Sequence, residues 1–291
     1  MKVIITIPAY NEEKTIPPVI KEIKRVMSKT NYKYEILVLN DGSQDKTVEV
    51  AKKAGATVFS NKRNLGLAQT FQAEMKKCLE LNADIIVHTD ADGQYPAIYI
   101  PKLIEKLEQG NDLVLGSRFG KGNYSGSIMK SMGNRAFARV FSKMLKVKLT
   151  DTTTGFRAFT REVAELPLIN NFTYTQEQLI RASKSNMKVA EVPIQTRKTR
   201  PSRLFRGPFD YAFKAWINIL RIYRDYEPLK FFGRIGATFI ILGVLVGIWI
   251  VYNIIATGSA GGIPRVILSM LLIVTGIQIG LFGFLADMNK K

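Results

Sequence analysis

Short apolar runs alternate with helix-like segments along the first 200 residues of the chain, most clearly up to residue 117. The apolar runs, which predict buried strands, are residues 2–7, 35–39, 57–60, 84–89 and 113–117. The segments with apolar residues at helical spacing are residues 15–27, 46–54, 67–81 and 98–109. Continuous apolar strands separated by helices are typical of an α/β domain, in which helices cover both faces of a mostly parallel sheet.

The last 60 residues are far more apolar than the rest of the chain. Two windows without charge, at about residues 235–256 and 266–286, are each long enough to cross a bilayer core of about 30 Å as a helix. The connector between them, residues 257–265, is short and rich in glycine. Because soluble helices of this length usually carry a polar face, the pattern predicts a C-terminal two-helix transmembrane hairpin.

An aromatic stripe precedes the first of these windows. Its residues, at spacings of 4, 3, 4 and 3, are Phe209, Phe213, Trp216, Leu220 and Tyr223. This spacing, with polar residues on another face, predicts an amphipathic helix at the membrane interface; a core-facing helix of the soluble domain remains the alternative. The predicted domains are therefore 1–205, an α/β domain; 206–230, the amphipathic helix; and 231–291, the membrane domain.

The net charge of +18 calls for an anionic partner. Nucleic acid is the usual partner of such a chain, but the charge is concentrated next to the predicted membrane spans. Residues 197–234 hold ten Lys or Arg and only three acidic residues. Anionic headgroups of a lipid bilayer attract such a segment, so we expect a membrane partner and no nucleic acid.

The positive charges also predict an orientation. Lys230 and Arg234 precede the first span, two lysines follow the second, and the connector carries only Arg265. Positive-inside bias places the large domain and the C-terminus in the cytoplasm of a multi-pass membrane protein.

The first apolar run is interrupted by Pro8, so no secretory signal is expected. A single cysteine and a single histidine exclude a disulfide framework and a Cys/His zinc site.

Polar clusters stand where the predicted strands end, at residues 8–12, 40–43, 90–92 and 116–118. Ligands of parallel sheets bind at the carboxyl ends of the strands, so these clusters should converge on one cleft. In the run DADGQ, Asp90, Asp92 and Gln94 present oxygen atoms at alternate positions, which predicts a site for a hard divalent cation. A turn without metal is the structural alternative. His88 is expected to pack in the domain or to support a ligand residue from behind, rather than to bind the cation itself.

The arginines of the sequence indicate which ligand the predicted cleft binds. The sequence contains neither a P-loop nor the glycine fingerprint of a dinucleotide site. It contains a series of arginines, namely Arg118, Arg197, Arg200 and Arg203. Arginine binds phosphate by paired hydrogen bonds, and a divalent ion held by few carboxylates completes its shell with substrate phosphates. The combination indicates a nucleoside-diphosphate leaving group held on a metal.

Five motifs carry a family resemblance: IPAYNEE, NDGSQDKT, DADGQYP, GSRF and DTTTGFRAF. In this order, over residues 2–205, they resemble the polyprenyl-phosphate glycosyltransferases, the branch of the family 2 glycosyltransferases that includes dolichyl-phosphate mannose synthase. The resemblance implies a nucleotide-binding GT-A fold. It also implies transfer of a sugar from a GDP- or UDP-sugar to a membrane-embedded polyprenyl or dolichyl phosphate, with inversion, and Mg²⁺ or Mn²⁺ as cofactor.

The same resemblance implies the roles of individual residues. The expected nucleotide-sugar-binding residues are Pro8, Tyr10, Glu12, Leu39, Asp41, Asp90, Ala91, Asp92, Gln94, Arg118, Arg197 and Arg203. Among them, Asp90, Asp92 and Gln94 are the expected metal ligands, and Asp92 and Arg118 the expected catalytic residues. The sequence departs from the family at Asn40, where an aspartate is frequent, and at Arg203, where a lysine is frequent. These departures leave the identity of the sugar open.

Charge alone suggests the mechanism. A phosphomonoester is largely anionic at neutral pH, so a lipid phosphate can attack the sugar without a strong general base. Asp151 and Glu177 are candidates for orienting groups. Each also has a structural interpretation, because Asp151 can cap the turn into TTTGF and Glu177 can pair with Arg181 at i,i+4 spacing.

Two other functions remain possible at this point. A processive polysaccharide synthase would share the nucleotide cleft, but by family resemblance it would need a Q-x-x-R-W motif, and the sequence has no Arg-Trp pair. A membrane-anchored nucleotide-sugar sensor or scaffold would bind the donor without transferring the sugar.

Overall fold

The computed structural model describes residues 1–119, 138–139, 141–142, 145, 147–168, 174–198, 217, 220–221, 223–259 and 262–289. The chain divides into two compact units, Met1–Pro208 and Phe209–Lys291. The first contains the sheet and the second contains two long apolar helices.

Seven strands of the first unit form one sheet in the order β3-β2-β1-β4-β6-β5-β7. The strands are β1 (Lys2–Ala9), β2 (Lys33–Asn40), β3 (Thr57–Ser60), β4 (Ile85–His88), β5 (Leu113–Ser117), β6 (Arg157–Thr160) and β7 (Val189–Pro193). The helices with described bounds in this unit are α1 (Ile16–Met27), α2 (Thr47–Lys53), α3 (Leu67–Glu80), α4 (Ile100–Glu108), α5 (Arg161–Ala164) and α6 (Tyr174–Lys184). A single 3₁₀ turn, Ala97–Tyr99, leads into α4.

The centre of the sheet is buried on both faces. Val3, Ile4 and Ile5 of β1 have no solvent exposure, as expected of a parallel strand covered by helices. Helix α1 turns one apolar side to the sheet and buries Ile16 and Ile20 among others. The mostly parallel α/β fold expected from the sequence is therefore confirmed.

Strand β6 is the exception to the parallel arrangement. It lies between β4 and β5 and is antiparallel to both. Its first residue therefore lies at the edge where the parallel strands end. The turn before β6 consequently reaches the same edge as the loops that follow β1, β2, β4, β5 and β7.

The second unit contains α7 (Pro228–Thr257) and α8 (Ile263–Met288). Both are long and apolar enough to cross a membrane. They pack closely where glycines meet: a Cβ on Gly236 would lie 2.5 Å from the carbonyl oxygen of Gly276. Ser269 Oγ donates a hydrogen bond of 2.8 Å to the carbonyl oxygen of Gly243. Close backbone approach through small residues is how membrane helices associate. Most of the expected amphipathic helix, 206–230, lies outside the described residues.

Candidate active site

The ends of β1 and β2 form the first part of the site. Pro8 and Leu39 are paired across the two strands, and both are buried. The backbone N–H of Asp41 donates to the carbonyl oxygen of Ala9 at 2.8 Å, which continues the pairing one step beyond the strands. Tyr10, in contrast, is 38% exposed, so its ring is accessible at the sheet edge.

The loop after β1 is tied to the loop after β2. Asn11 has a φ of 54°, and its backbone N–H donates to Ser43 Oγ at 2.9 Å. Glu12 is buried; its backbone N–H donates to Thr47 Oγ1 at 2.8 Å, and its Oε2 accepts a 2.6 Å hydrogen bond from Thr15 Oγ1. These bonds hold the IPAYNEE and NDGSQDKT motifs against each other.

Asp41 organises a loop that the sequence did not single out. Its carboxylate is buried and accepts hydrogen bonds from the backbone N–H groups of Leu65 at 2.9 Å and Gly66 at 3.0 Å. The side-chain amide of Asn61 donates a further bond of 2.9 Å to it. Asp41 was expected beside the base; in the structure it also holds residues 61–66 at the edge of the sheet.

The DADGQ run forms a tight loop after β4. The backbone N–H of Gln94 donates to Asp92 Oδ1 at 2.9 Å, so one oxygen of Asp92 closes the turn of this loop. Ala91 is buried. Burial raises the pKa of Asp90 to about 6, with the charge of nearby Asp92 acting in the same direction and His88 and Arg118 opposing it. A carboxylate in such surroundings favours a nearby cation.

The donor set fits a hard divalent ion that is shared with a substrate. No group of three or more His, Cys, Asp or Glu side chains gathers around one point among the described residues. Two carboxylates and an amide oxygen in one loop suit Mg²⁺ or Mn²⁺ when substrate phosphates and water complete the shell. Asp90, Asp92 and Gln94 are therefore the residues that would hold the ion.

Arg118, at the end of β5, is held by the turn that precedes β6. Its Nε donates to Asp151 Oδ2 at 2.6 Å, and its Nη2 donates to Asp151 Oδ1 at 3.0 Å and Thr153 Oγ1 at 2.7 Å. Burial alone would raise the pKa of Asp151, but the Arg118 guanidinium and two backbone N–H groups outweigh burial and lower it. Asp151 is thus ionised at neutral pH and orients Arg118.

Asp151 is also supported by β7, and the turn that contains it approaches Asp90. Glu191 of β7 accepts a hydrogen bond of 2.9 Å from the backbone N–H of Asp151. Asp151 in turn accepts one of 3.1 Å from the N–H of Thr153, so it caps the turn as well as orienting Arg118. A Cβ on Gly155 would lie 3.2 Å from Asp90 Oδ1. Glycine at this position therefore permits the turn to pack against the candidate metal loop.

The remaining arginines divide into two groups. Arg197 donates its backbone N–H to the carbonyl oxygen of Gln94 at 2.9 Å, but its guanidinium is bound to Glu22 at 2.7 and 2.8 Å. Arg203 lies outside the described residues, as does Arg200. The structural interpretation of Glu177 is confirmed, because Arg181 Nε donates to it at 2.9 Å.

A buried polar layer behind the site was not predicted. Glu74 of α3 and His88 of β4 have no solvent exposure; Thr6 Oγ1 donates to Glu74 at 2.8 Å, and His88 Nδ1 lies 3.2 Å from the same carboxylate. Arg157, opposite His88 on β6, donates to the side chain of Gln178 at 3.1 Å. Burial lowers the pKa of Arg157 to about 10. The sequence did contain one signal for this layer: Glu74 stands on the side of α3 that is otherwise mostly apolar and buried.

Known proteins share this fold and these sequences. The profile of "Glycosyl transferase family 2" matches residues 4–166. A dolichyl-phosphate hexose transferase of Haloferax volcanii is 34% identical over 195 residues, which cover 67% of this chain and 82% of that protein. A dolichol-phosphate mannosyltransferase of Pyrococcus furiosus is 29% identical over 289 residues, covering 93% of this chain and 78% of that protein.

Among solved structures, glucosyl-3-phosphoglycerate synthase from Mycobacterium tuberculosis, in complex with Mn²⁺, UDP and phosphoglyceric acid, is similar in fold. Its TM-score is 0.59 at 22% identity, with 76% of this chain and 77% of that chain covered. The match supports the GT-A type of α/β fold. The strand-end site, the sheet order and the matched profile together lead to one assignment: the chain belongs to glycosyl transferase family 2.

Proposed function

We propose that this protein transfers a hexose from a nucleoside-diphosphate sugar, GDP-mannose or a UDP-sugar, to a polyprenyl phosphate such as dolichyl phosphate. The reaction takes place at the cytoplasmic face of the membrane with inversion at the anomeric carbon. Its product is a lipid-phosphate sugar that serves as a donor for further glycosylation.

One observation carries the proposal: the DADGQ loop and the Arg118–Asp151 pair lie at the same sheet edge, close enough for the Arg118 charge to act on Asp90. Carboxylates for a metal and an oriented guanidinium are what a departing diphosphate needs. Relatives named for transfer of a hexose and of mannose to dolichyl or dolichol phosphate support a lipid phosphate as the acceptor.

In this mechanism the chain binds the donor between the loops after β1, β2 and β4. Asp90, Asp92 and Gln94 would hold Mg²⁺ or Mn²⁺, which when bound stabilises negative charge on the diphosphate as a Lewis acid. Arg118, held in place by Asp151, would bring its positive charge to the diphosphate, on which negative charge grows as the sugar leaves. The lipid phosphate is itself an anionic nucleophile, and its direct attack from the opposite side of the sugar gives inversion.

The two apolar helices support a membrane location for the acceptor. We propose that α7 and α8 span the bilayer, with the large domain and the C-terminus in the cytoplasm. The basic residues before α7 and the nearly uncharged connector are consistent with the positive-inside bias. A lipid acceptor would then reach the catalytic domain from the plane of the membrane.

The test is transfer of radiolabel from a panel of GDP- and UDP-sugars into organic-extractable product, using the full chain in membranes supplied with polyprenyl phosphate. We expect one donor to give labelled lipid, and EDTA to abolish the reaction. Growth of a polymer on the acceptor would favour the processive synthase. Tight donor binding without any transfer or metal-dependent nucleotide release would favour the sensor.

A further inference from the structure

Glu22 lies on α1, outside every motif at the strand ends, yet it contacts two segments of the candidate site. Its Oε2 accepts a hydrogen bond of 2.7 Å from Arg197 Nη1, and its Oε1 accepts one of 2.8 Å from Arg197 Nη2. Oε1 also accepts a longer bond of 3.3 Å from the backbone N–H of Ala97. Ala97 opens the 3₁₀ turn that follows the DADGQYP motif, so Glu22 touches the end of the candidate metal loop.

Arg197 completes the connection through its backbone. Its N–H donates to the carbonyl oxygen of Gln94 at 2.9 Å. The loop after β4 is therefore fastened twice, once at Gln94 by Arg197 and once at Ala97 by Glu22. Because Glu22 also holds the guanidinium of Arg197, the two attachments form one unit that joins α1, the DADGQ loop and the chain after β7.

This ion pair differs from ordinary surface pairs of the same protein. Lys77 and Glu80 are close in sequence on α3, and their side chains are 33% and 45% exposed. Arg197 is 51% exposed, but Glu22 is only 17% exposed. Both terminal guanidinium nitrogens bind Glu22, and the two residues lie 175 positions apart in the sequence. Exposed pairs contribute little to stability, whereas a bidentate pair imposes a geometry on both partners.

We propose that Glu22 is a positioning residue: through Arg197 and Ala97 it holds the Asp90–Gln94 loop in the arrangement that binds a divalent cation together with a nucleoside diphosphate. This inference rests on the proposed function for the identity of the ligand. It assigns a role to a helix residue that touches neither the metal nor the sugar in this arrangement, and it gives the Arg197 guanidinium a structural partner.

The experiment measures binding of Mn²⁺ together with UDP, and separately together with GDP, to the full chain in detergent. Binding is followed by calorimetry and by the electron paramagnetic resonance signal of Mn²⁺. Glu22→Gln removes the charge and keeps an oxygen for the Ala97 N–H. We expect the dissociation constant of the metal–nucleotide pair to rise about tenfold, as for groups that orient metal ligands. Glu80→Gln, which breaks the surface pair with Lys77 at the C-terminal end of α3, is the matched control and should leave the dissociation constant unchanged.

Arg197 provides the second arm. Arg197→Lys keeps the charge and the backbone bond to Gln94 but loses the bidentate pairing, so it should weaken binding in the same way and replaces Glu22→Gln if that variant does not fold. The double variant Glu22→Gln with Arg197→Lys should bind no more weakly than the weaker of the two single variants, because substitutions of two partners in one interaction are not additive. The apparent KM for polyprenyl phosphate should stay unchanged in all of them.

Three results would overturn the inference. Unchanged metal–nucleotide affinity in both single variants would show that the Glu22–Arg197 pair does not position the loop. Tighter binding in Glu22→Gln would show that Glu22 competes with the nucleotide for Arg197. A raised KM for the lipid with normal nucleotide affinity would move the role to the acceptor side. Since the binding assay needs no acceptor, a wild-type chain that binds but does not transfer refutes the proposed function and leaves this test intact.

Discussion

The Nε atom of Arg118 lies 2.6 Å from Oδ2 of Asp151. Asp151 has no exposed side-chain surface, and its own backbone N–H is bound by Glu191. The guanidinium at the end of β5 is therefore held by a carboxylate that is itself fixed from the neighbouring strand. Preorganised donors of this kind stabilise charge in a transition state without reorganising.

Replacing Arg118 with alanine should lower kcat about 100- to 1,000-fold, since a charged donor aimed at developing negative charge is lost. Asp151→Asn keeps Arg118 but loosens its orientation, so its effect should be smaller. The measurement is turnover at saturating polyprenyl phosphate. Arg161→Ala, which removes an exposed arginine paired with Glu165 on α5, is the control; equal rates in Arg118→Ala and Arg161→Ala would exclude a catalytic role for Arg118.

Asp92→Asn should abolish most of the activity while preserving the fold. The asparagine side-chain oxygen can still accept the bond from the Gln94 N–H, but the charge that attracts a divalent ion is gone. We expect a loss of about 100-fold or more, since metal Lewis-acid catalysis contributes several kcal/mol. Asp112→Asn, which alters an aspartate bonded to the Lys188 N–H, should remain active. Full activity of Asp92→Asn in EDTA would refute metal dependence.

The pH dependence should follow Asp90, whose pKa is raised to about 6 by burial. Above that pH the carboxyl is ionised and can bind a cation; as the pH falls through about 6 it takes up a proton and loses its charge. The value of kcat/KM for the donor should therefore drop about tenfold per pH unit on the acid side. Because the metal and the proton compete for the same group, a higher Mg²⁺ concentration should move the midpoint to lower pH. If the midpoint of the acid limb does not change with Mg²⁺ concentration, Asp90 is not the group whose protonation controls activity.

Gly42→Ala should destabilise the loop that Asp41 organises. Gly42 has a φ of +72°, and a Cβ there would lie 2.6 Å from the backbone carbon of Arg63. Gly110→Ala is a close control, because Gly110 has a φ of +86° with nothing within 4 Å of the added Cβ. Both variants carry backbone strain of about 1–3 kcal/mol, but only Gly42→Ala adds the clash. Its Tm should fall further and nucleotide binding should weaken; equal Tm values would contradict the close approach.

The membrane topology can be tested with a single cysteine. In a Cys78→Ser background, Ser259→Cys places a thiol in the connector between α7 and α8. If the large domain is cytoplasmic, an impermeant thiol reagent should label this cysteine in intact cells. A cysteine at Ser28, at the end of α1, is the control and should react only after lysis. The opposite pattern would reverse the proposed orientation.

Much of the fold could be predicted because the first half of the chain follows simple periodicities. The strand at residues 113–117 was predicted with its observed limits, and β1 differs only in extending to Ala9. In contrast, β6 was missed. It has only four residues and includes the charged Arg157. It is a strand because it pairs with β4, which is distant in sequence, so the local sequence pattern does not predict it.

The candidate site shows the same division. Residues such as Asp92 and Arg118 stand in motifs, at the ends of predictable strands. Glu22 belongs to the regular surface pattern of α1, and the sequence offers no reason to separate it from other helix acids. Its contacts exist only because the chain returns after β7, and such contacts depend on tertiary structure.

The antiparallel β6 also constrains the order in which the nascent chain can complete its sheet. In the described sheet, β5 joins β4 only through β6. Strands β1 to β4 precede β6 in synthesis and can pair with one another first, but β4 then has one unpaired edge until residues 157–160 emerge. The loops for the nucleotide and the metal can therefore form on a partial sheet, whereas Arg118 gains its place only after the strand that follows Asp151 has been inserted.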